Sequence, residues 1–142
     1  MKTSKGFTII ELLVVIAIIA VLAGIVLVNV TSYINKGKDA AIKGNLATIM
    51  TNGAVFFDDT TKGNGTYTAF CADAGYTIPA AAITATGVTP TCTIASGSAA
   101  YCACAPLKAT SGTVFCIDST GAKEETVSST CAMQCPVAGF CQ

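Results

Sequence analysis

The chain has 142 residues with eight lysines, no arginine, no histidine and eight acids, for a formal net charge of zero. The lack of a basic excess excludes an ordinary basic nucleic-acid-binding module, and the lack of histidine removes the usual general base and the commonest metal ligand. Hydrophobic residues make up 52% and charged residues 11%, but the apolar excess is concentrated. The 17 residues 12–28 carry no polar side chain, so a fully soluble unprocessed chain is excluded.

The chain opens Met1-Lys2-Thr3-Ser4-Lys5-Gly6, continues Phe7-Thr8-Ile9-Ile10-Glu11, and then enters the apolar run. A secretory signal peptide has a short apolar stretch followed by a small-residue cleavage site. Ala20-Val21-Leu22-Ala23-Gly24 loosely fits such a site, yet apolar residues continue past it. A membrane-spanning helix fits better, because residues 7–30 as a helix span about 36 Å, against ~30 Å of bilayer hydrocarbon. The flanking charges leave orientation open. Lys2, Lys5 and the terminal amine lie on one side, and Lys36, Lys38 and Lys43, offset by Asp39, lie on the other.

Glu11 is the anomaly of this segment, a carboxylate with apolar neighbours on both sides. In hydrocarbon an unpaired acid costs on the order of 3 kcal/mol, so its default reading is functional. The alternative is an interfacial acid that snorkels to the headgroups.

The stretch Lys5-Gly6-Phe7-Thr8-Ile9-Ile10-Glu11-Leu12-Leu13 resembles the class III signal of bacterial type IV pilins and type II secretion pseudopilins. The resemblance covers about residues 1–57. It implies cleavage between Gly6 and Phe7 by a prepilin peptidase, followed by N-methylation of the new Phe7 amine. It also implies that Glu11 pairs with the Phe7 amine of a neighbouring subunit during assembly. Elementary electrostatics agrees, because a buried amine and a buried acid offset one another when chains stack side by side.

Beyond Val30 the composition turns polar while helical periodicity persists. Ile42, Leu46, Ile49, Gly53 and Phe56 follow spacings of 4, 3, 4 and 3, which predicts one small-and-apolar stripe facing a core. No proline precedes Pro79, so a single helix over about residues 7–57 is expected. Asp58-Asp59-Thr60 is expected to end it, and Lys62-Gly63-Asn64-Gly65-Thr66 to turn. Residues 71–90 read as an irregular Ala/Thr-rich loop. Three short strands are expected at 91–95, 99–105 and 113–118, joined by turns at 96–98 and 108–112. Residues 119–142 read as a tail punctuated by Gly121, Pro136 and Gly139.

The eight cysteines are Cys71, Cys92, Cys102, Cys104, Cys116, Cys131, Cys135 and Cys141, all in the second half of the chain. Zinc thiolates and disulfides compete for them. There is no C-x2-C pair and no histidine to complete a common zinc site, and a head outside the cytoplasm favours disulfides. Turns centred on Gly97 and near Thr110 would set Cys92 opposite Cys102 and Cys104 opposite Cys116, with the other four stapling loop and tail. Asp118-Ser119-Thr120-Gly121 with Glu124 offers calcium oxygens, but without an EF-type pattern it reads as a hairpin turn. No metal, no cofactor and no catalytic residue is expected, since Asp58-Asp59 and Glu124-Glu125 diverge and no nucleophile has a histidine partner.

The expected fold is α+β: a long amino-terminal helix on a small antiparallel sheet with a disulfide-rich carboxy-terminal region. The expected divisions are a leader at 1–6, a membrane or filament-core helix at 7–30, an amphipathic continuation at 31–57 and a cysteine-rich head at 58–142. The expected function is that of a structural subunit of a type IV pilus. It would insert in the membrane with its head outside the cytoplasm, then polymerise at the cell surface. Its partners would be further copies of itself, the prepilin peptidase and an inner-membrane assembly platform, with no nucleic acid. The alternatives are a pseudopilin of a type II secretion system and a non-polymerising, membrane-anchored cysteine-rich binding module.

Overall fold

The structure is a computed structural model and describes residues 6–128, 130, 131, 135 and 139–141. The expected leader residues 1–5, with Lys2 and Lys5, and the turn expected at Pro136 lie outside the described residues. The chain divides into two units, Met1–Ile34 and Asn35–Gln142.

Helix α1 runs Ile9–Asp58 without a break, as the missing prolines predict. In the first unit its apolar side chains are exposed, from Ile9 at 79% to Leu27 at 70%. That apolar surface is long enough to cross a membrane by length and composition. In the second unit the predicted stripe is the core face: Ile42, Leu46 and Ile49 are fully buried and Phe56 nearly so. Gly53 lies within this stripe because Tyr101 crosses the helix there. A Cβ on Gly53 would fall 2.7 Å from the Tyr101 ring carbons.

After α1 the chain turns through Asn64 and Gly65, both at positive φ. It then forms a short 3-10 turn, Phe70–Ala72, and a second helix, α2, over Ala74–Ala85. The irregular loop expected over 71–90 is therefore corrected. Pro79 argues against a helix interior, since it lacks an N–H and leaves the carbonyl four residues earlier without its donor. Here that carbonyl belongs to Gly75, and the Asn52 side-chain amide of α1 donates to it at 2.8 Å. Asp73 caps the helix start by accepting from the Gly75 N–H. The orphaned groups are thus satisfied from outside the helix, which no local pattern announces.

Four antiparallel strands follow in chain order: β1 (Thr91–Ile94), β2 (Tyr101–Pro106), β3 (Thr113–Asp118) and β4 (Lys123–Val127). The first three were expected. The fourth falls within the expected tail, because Lys-Glu-Glu-Thr-Val is an exposed edge strand with no apolar alternation to mark it.

Every residue of β2 but Pro106 is buried, because the sheet is covered on both faces. Tyr101, Ala103, Ala105 and Ile117 join the α1 stripe, Tyr67, Phe70 and Ile83 of α2 in one core. The Tyr101 ring packs at 4.7 Å from Phe70 and 4.8 Å from Tyr67. Cys102, Cys104, Cys116 and Val114 point the other way and meet Cys131 and Cys135 in a second cluster. Successive strand residues alternate faces, so Cys102-Ala103-Cys104 places both sulfurs on one side.

The disulfides are Cys71–Cys92, Cys102–Cys135, Cys104–Cys131 and Cys116–Cys141, with Cα separations of 5.4–6.0 Å. The cross-strand bonds anticipated from the turns do not form. Cys92 lies opposite Ala103, one residue from the expected Cys102, and a one-residue slip sends a side chain to the other face. Cys92 therefore reaches Cys71 instead. Cys104 does lie opposite Cys116, yet both bond to the tail. Three bonds thus clamp the tail across the outer face of the sheet, and the fourth ties the 3-10 turn to β1.

Candidate processing and assembly site

The residues singled out at the amino terminus come together within one turn of helix start. Gly6, Phe7 and Thr8 are not helical, and α1 begins at Ile9. Gly6 has open space around it and Phe7 is 77% exposed. The Gly6–Phe7 peptide bond thus lies in accessible, non-helical chain, the condition a peptidase needs to seat a scissile bond.

Thr8 and Glu11 form a capping box. The Glu11 Oε2 accepts from the Thr8 N–H and from the Thr8 hydroxyl, each at 2.8 Å. In return the Thr8 Oγ1 accepts from the Glu11 N–H at 3.3 Å. The spacing Thr-x-x-Glu ahead of an apolar run is the sequence signature of this arrangement. Its role as a cap was not anticipated, though the signature was available. Both bonds use one oxygen, which leaves the other oxygen of the exposed carboxylate open to a cation.

The remaining titratable groups serve the head. Asp39, 8% exposed, accepts from the Lys108 and Ala109 backbone N–H groups at 2.6 and 3.0 Å. It thereby pins the loop between β2 and β3 to α1. Asp118, 2% exposed, accepts at one oxygen from the Thr120 N–H and hydroxyl and the Ala122 N–H, and at the other from the Cys141 N–H. Burial pushes the Asp118 carboxyl up, but the Thr120 hydroxyl and these N–H groups outweigh it and hold it below the ordinary aspartate value. Its lone pairs are engaged by its own hairpin turn and the tail. The Cys102, Cys116 and Cys135 sulfurs lie within 4.8 Å of one another, but each is in a disulfide and offers no thiolate.

Residues 1–27 match the family model described as the prokaryotic N-terminal methylation motif. The amino-terminal segment therefore carries this methylation motif. Over 47 residues the chain is 49% identical to the type IV major alpha-pilin of Moraxella bovis, covering 33% of this chain and 30% of that protein. Fimbrial protein Q of the same organism matches over the same length with the same identity and coverage. The chain therefore spans about a third of the length of the curated relatives it matches. No solved structure matches it. The head, with its four disulfides, stands on its own architecture: a long helix packed on a small antiparallel sheet.

Proposed function

We propose that the chain is the precursor of a type IV pilus subunit, a structural and non-catalytic protein. It would be cut between Gly6 and Phe7, methylated on the Phe7 amine, held in the membrane by the first part of α1, and polymerised with its head at the filament surface. The observation that carries this is the accessible Gly6–Phe7 bond directly ahead of a capped helix whose apolar surface is exposed for more than five turns. Such a surface needs lipid or further copies of itself to cover it. The open Glu11 oxygen supports the pairing with a neighbour's Phe7 amine, since each charge is costly alone in an apolar core and the two attract strongly there. The processing partners are a prepilin peptidase and a membrane assembly platform, and the route leads from a single-pass membrane precursor to the cell surface.

Intact-mass spectrometry tests the reading. The mature chain should begin at methylated Phe7, and Gly6→Val should accumulate unprocessed precursor in the membrane, because the bulky side chain obstructs the cut. A mature chain of normal mass from Gly6→Val overturns the processing assignment. An intact Met1, or a cut after Ala23, favours an anchored or exported module instead.

A further inference from the structure

The three bonds that clamp the tail are not equally accessible. Five of their six cysteines, Cys102, Cys104, Cys116, Cys131 and Cys135, are at most 6% exposed. Cys141 differs, being only partly buried where it packs against the cluster. Its N–H donates to the Asp118 carboxylate at 3.1 Å, which seats it over β3 beside its partner Cys116.

Two of the bonds also touch one another. The Cys116 sulfur, bonded to Cys141, lies beside the Cys102–Cys135 bond, 3.0 Å from the Cys102 sulfur and 3.5 Å from the Cys135 sulfur. The Cys102 sulfur in turn lies 3.9 Å from the Cys141 sulfur. Strand register produces this crowding. Cys104 lies opposite Cys116, and Cys102 is two residues along the same face of β2. Cys102 and Cys116 are therefore diagonal neighbours, within reach of one another. The Cys71–Cys92 bond stands apart, because Cys92 packs against the aromatic core on the other face.

A disulfide exchanges when a thiolate attacks one of its sulfurs, and access decides which sulfur is attacked. We infer that Cys141 is the site at which a small external thiol enters this cluster, and that Cys116 passes the exchange inward to the Cys102–Cys135 bond. The external thiolate attacks the Cys141 sulfur. A bond forms between them, the Cys116–Cys141 bond breaks, and the electron pair leaves on Cys116. The freed Cys116 side chain rotates into line and attacks Cys135, so that the Cys116–Cys135 bond forms and the pair leaves on Cys102. Cys102 then attacks the Cys141 sulfur and expels the external thiolate. Two disulfides become two others, Cys102–Cys141 and Cys116–Cys135, with the external thiol regenerated and nothing oxidised or reduced overall. The Cys104–Cys131 bond and one further bond hold the tail at every step, so its pairing is corrected without unfolding the head. The exchange does not depend on filament assembly, so its test is independent of the pilus reading.

The oxidised full chain in detergent, incubated with reduced glutathione and then alkylated, tests the entry site. Fragment-ion mass spectrometry of the non-reduced digest should find the glutathione adduct on Cys141 about tenfold or more above any other clamp cysteine, because burial withholds the rest. Longer incubation should build up Cys102–Cys141 and Cys116–Cys135 while the number of disulfides stays constant. Cys141→Ala tests the inward step with no external thiol. It leaves Cys116 free against the Cys102–Cys135 bond, so the alkylated thiol should be found at Cys102 or Cys135 as well as at Cys116. Cys92→Ala, which leaves Cys71 free beyond the other face, should be alkylated at Cys71 alone.

A clamp without adduct, or an adduct chiefly on another clamp cysteine, overturns the entry site. A Cys141→Ala thiol confined to Cys116 overturns the inward step. Should Cys141→Ala misfold, shown by alkylation at Cys71 or Cys92, the wild-type products decide: an adduct on Cys141 with no Cys102–Cys141 or Cys116–Cys135 after prolonged incubation overturns it equally.

Discussion

Asp39 shows how much one buried carboxylate contributes here. Between Lys38 and Ala40 it reads as a surface charge, yet it holds two backbone N–H groups of the loop after β2. Replacing it removes the acceptor of two part-buried backbone donors, and an unmet donor costs about 1–3 kcal/mol when fully buried and less where water reaches it. Asp39→Ala should lower the stability of the oxidised protein by about 1–3 kcal/mol, and Asp39→Asn, which keeps one acceptor, by less. Denaturant unfolding of the full chain in detergent measures both. Equal stability for Asp39→Ala and wild type would show that water replaces the carboxylate freely.

Among the elements, the β3–β4 hairpin has a built-in acid sensitivity. Asp118 holds the hairpin turn and the Cys141 N–H, and its folded-state carboxyl is depressed by these bonds. A carboxyl with a lowered folded value stabilises fully above its unfolded value of about 3.9 and ceases to do so as pH falls through the folded value. Asp73 at the start of α2 is lowered in the same direction, chiefly by the Gly75 N–H and then by Lys62. Stability should therefore fall on acidification below about pH 4, and Asp118→Asn should flatten that fall. Unfolding midpoints taken from neutral pH down to about pH 2 test it; an unchanged acid limb in Asp118→Asn would place the sensitivity elsewhere. Cysteine clamping keeps the tail in place across this range, since disulfides do not titrate.

At the scale of the whole molecule, Glu11 is a helix cap and, in the proposed assembly, would also be the counter-charge for a neighbour. Glu11→Gln keeps a capping box, because glutamine accepts the Thr8 N–H as glutamate does, but it abolishes the charge. Thr8→Ala does the reverse. If the charge is the assembly latch, Glu11→Gln should leave normal mature protein in the membrane with few or no filaments, while Thr8→Ala should cost about 1 kcal/mol of helix-end stability and still assemble. Filament counts by electron microscopy decide between them. Wild-type numbers from Glu11→Gln would reduce Glu11 to a cap.

The amino-terminal half was legible because its signals are local and strong. The unbroken apolar run, the missing prolines and the 3-and-4 stripe of Ile42, Leu46 and Ile49 each follow from neighbours in the chain, while the Thr8–Glu11 cap, equally local, was not anticipated. The positions of β1 to β3, and the register of Cys104 against Cys116, were also readable from turn residues. Helix α2 was hidden because Pro79 is tolerated only through Asn52, a residue 27 positions away. Strand β4 was hidden because its pairing with β3, not any apolar pattern, makes it a strand. Disulfide partners depended on a one-residue register at Gly97–Ser98 and on where the tail crosses the sheet. Those choices are made by packing: composition and spacing state which groups must be buried or paired, and only the tertiary contacts decide with what.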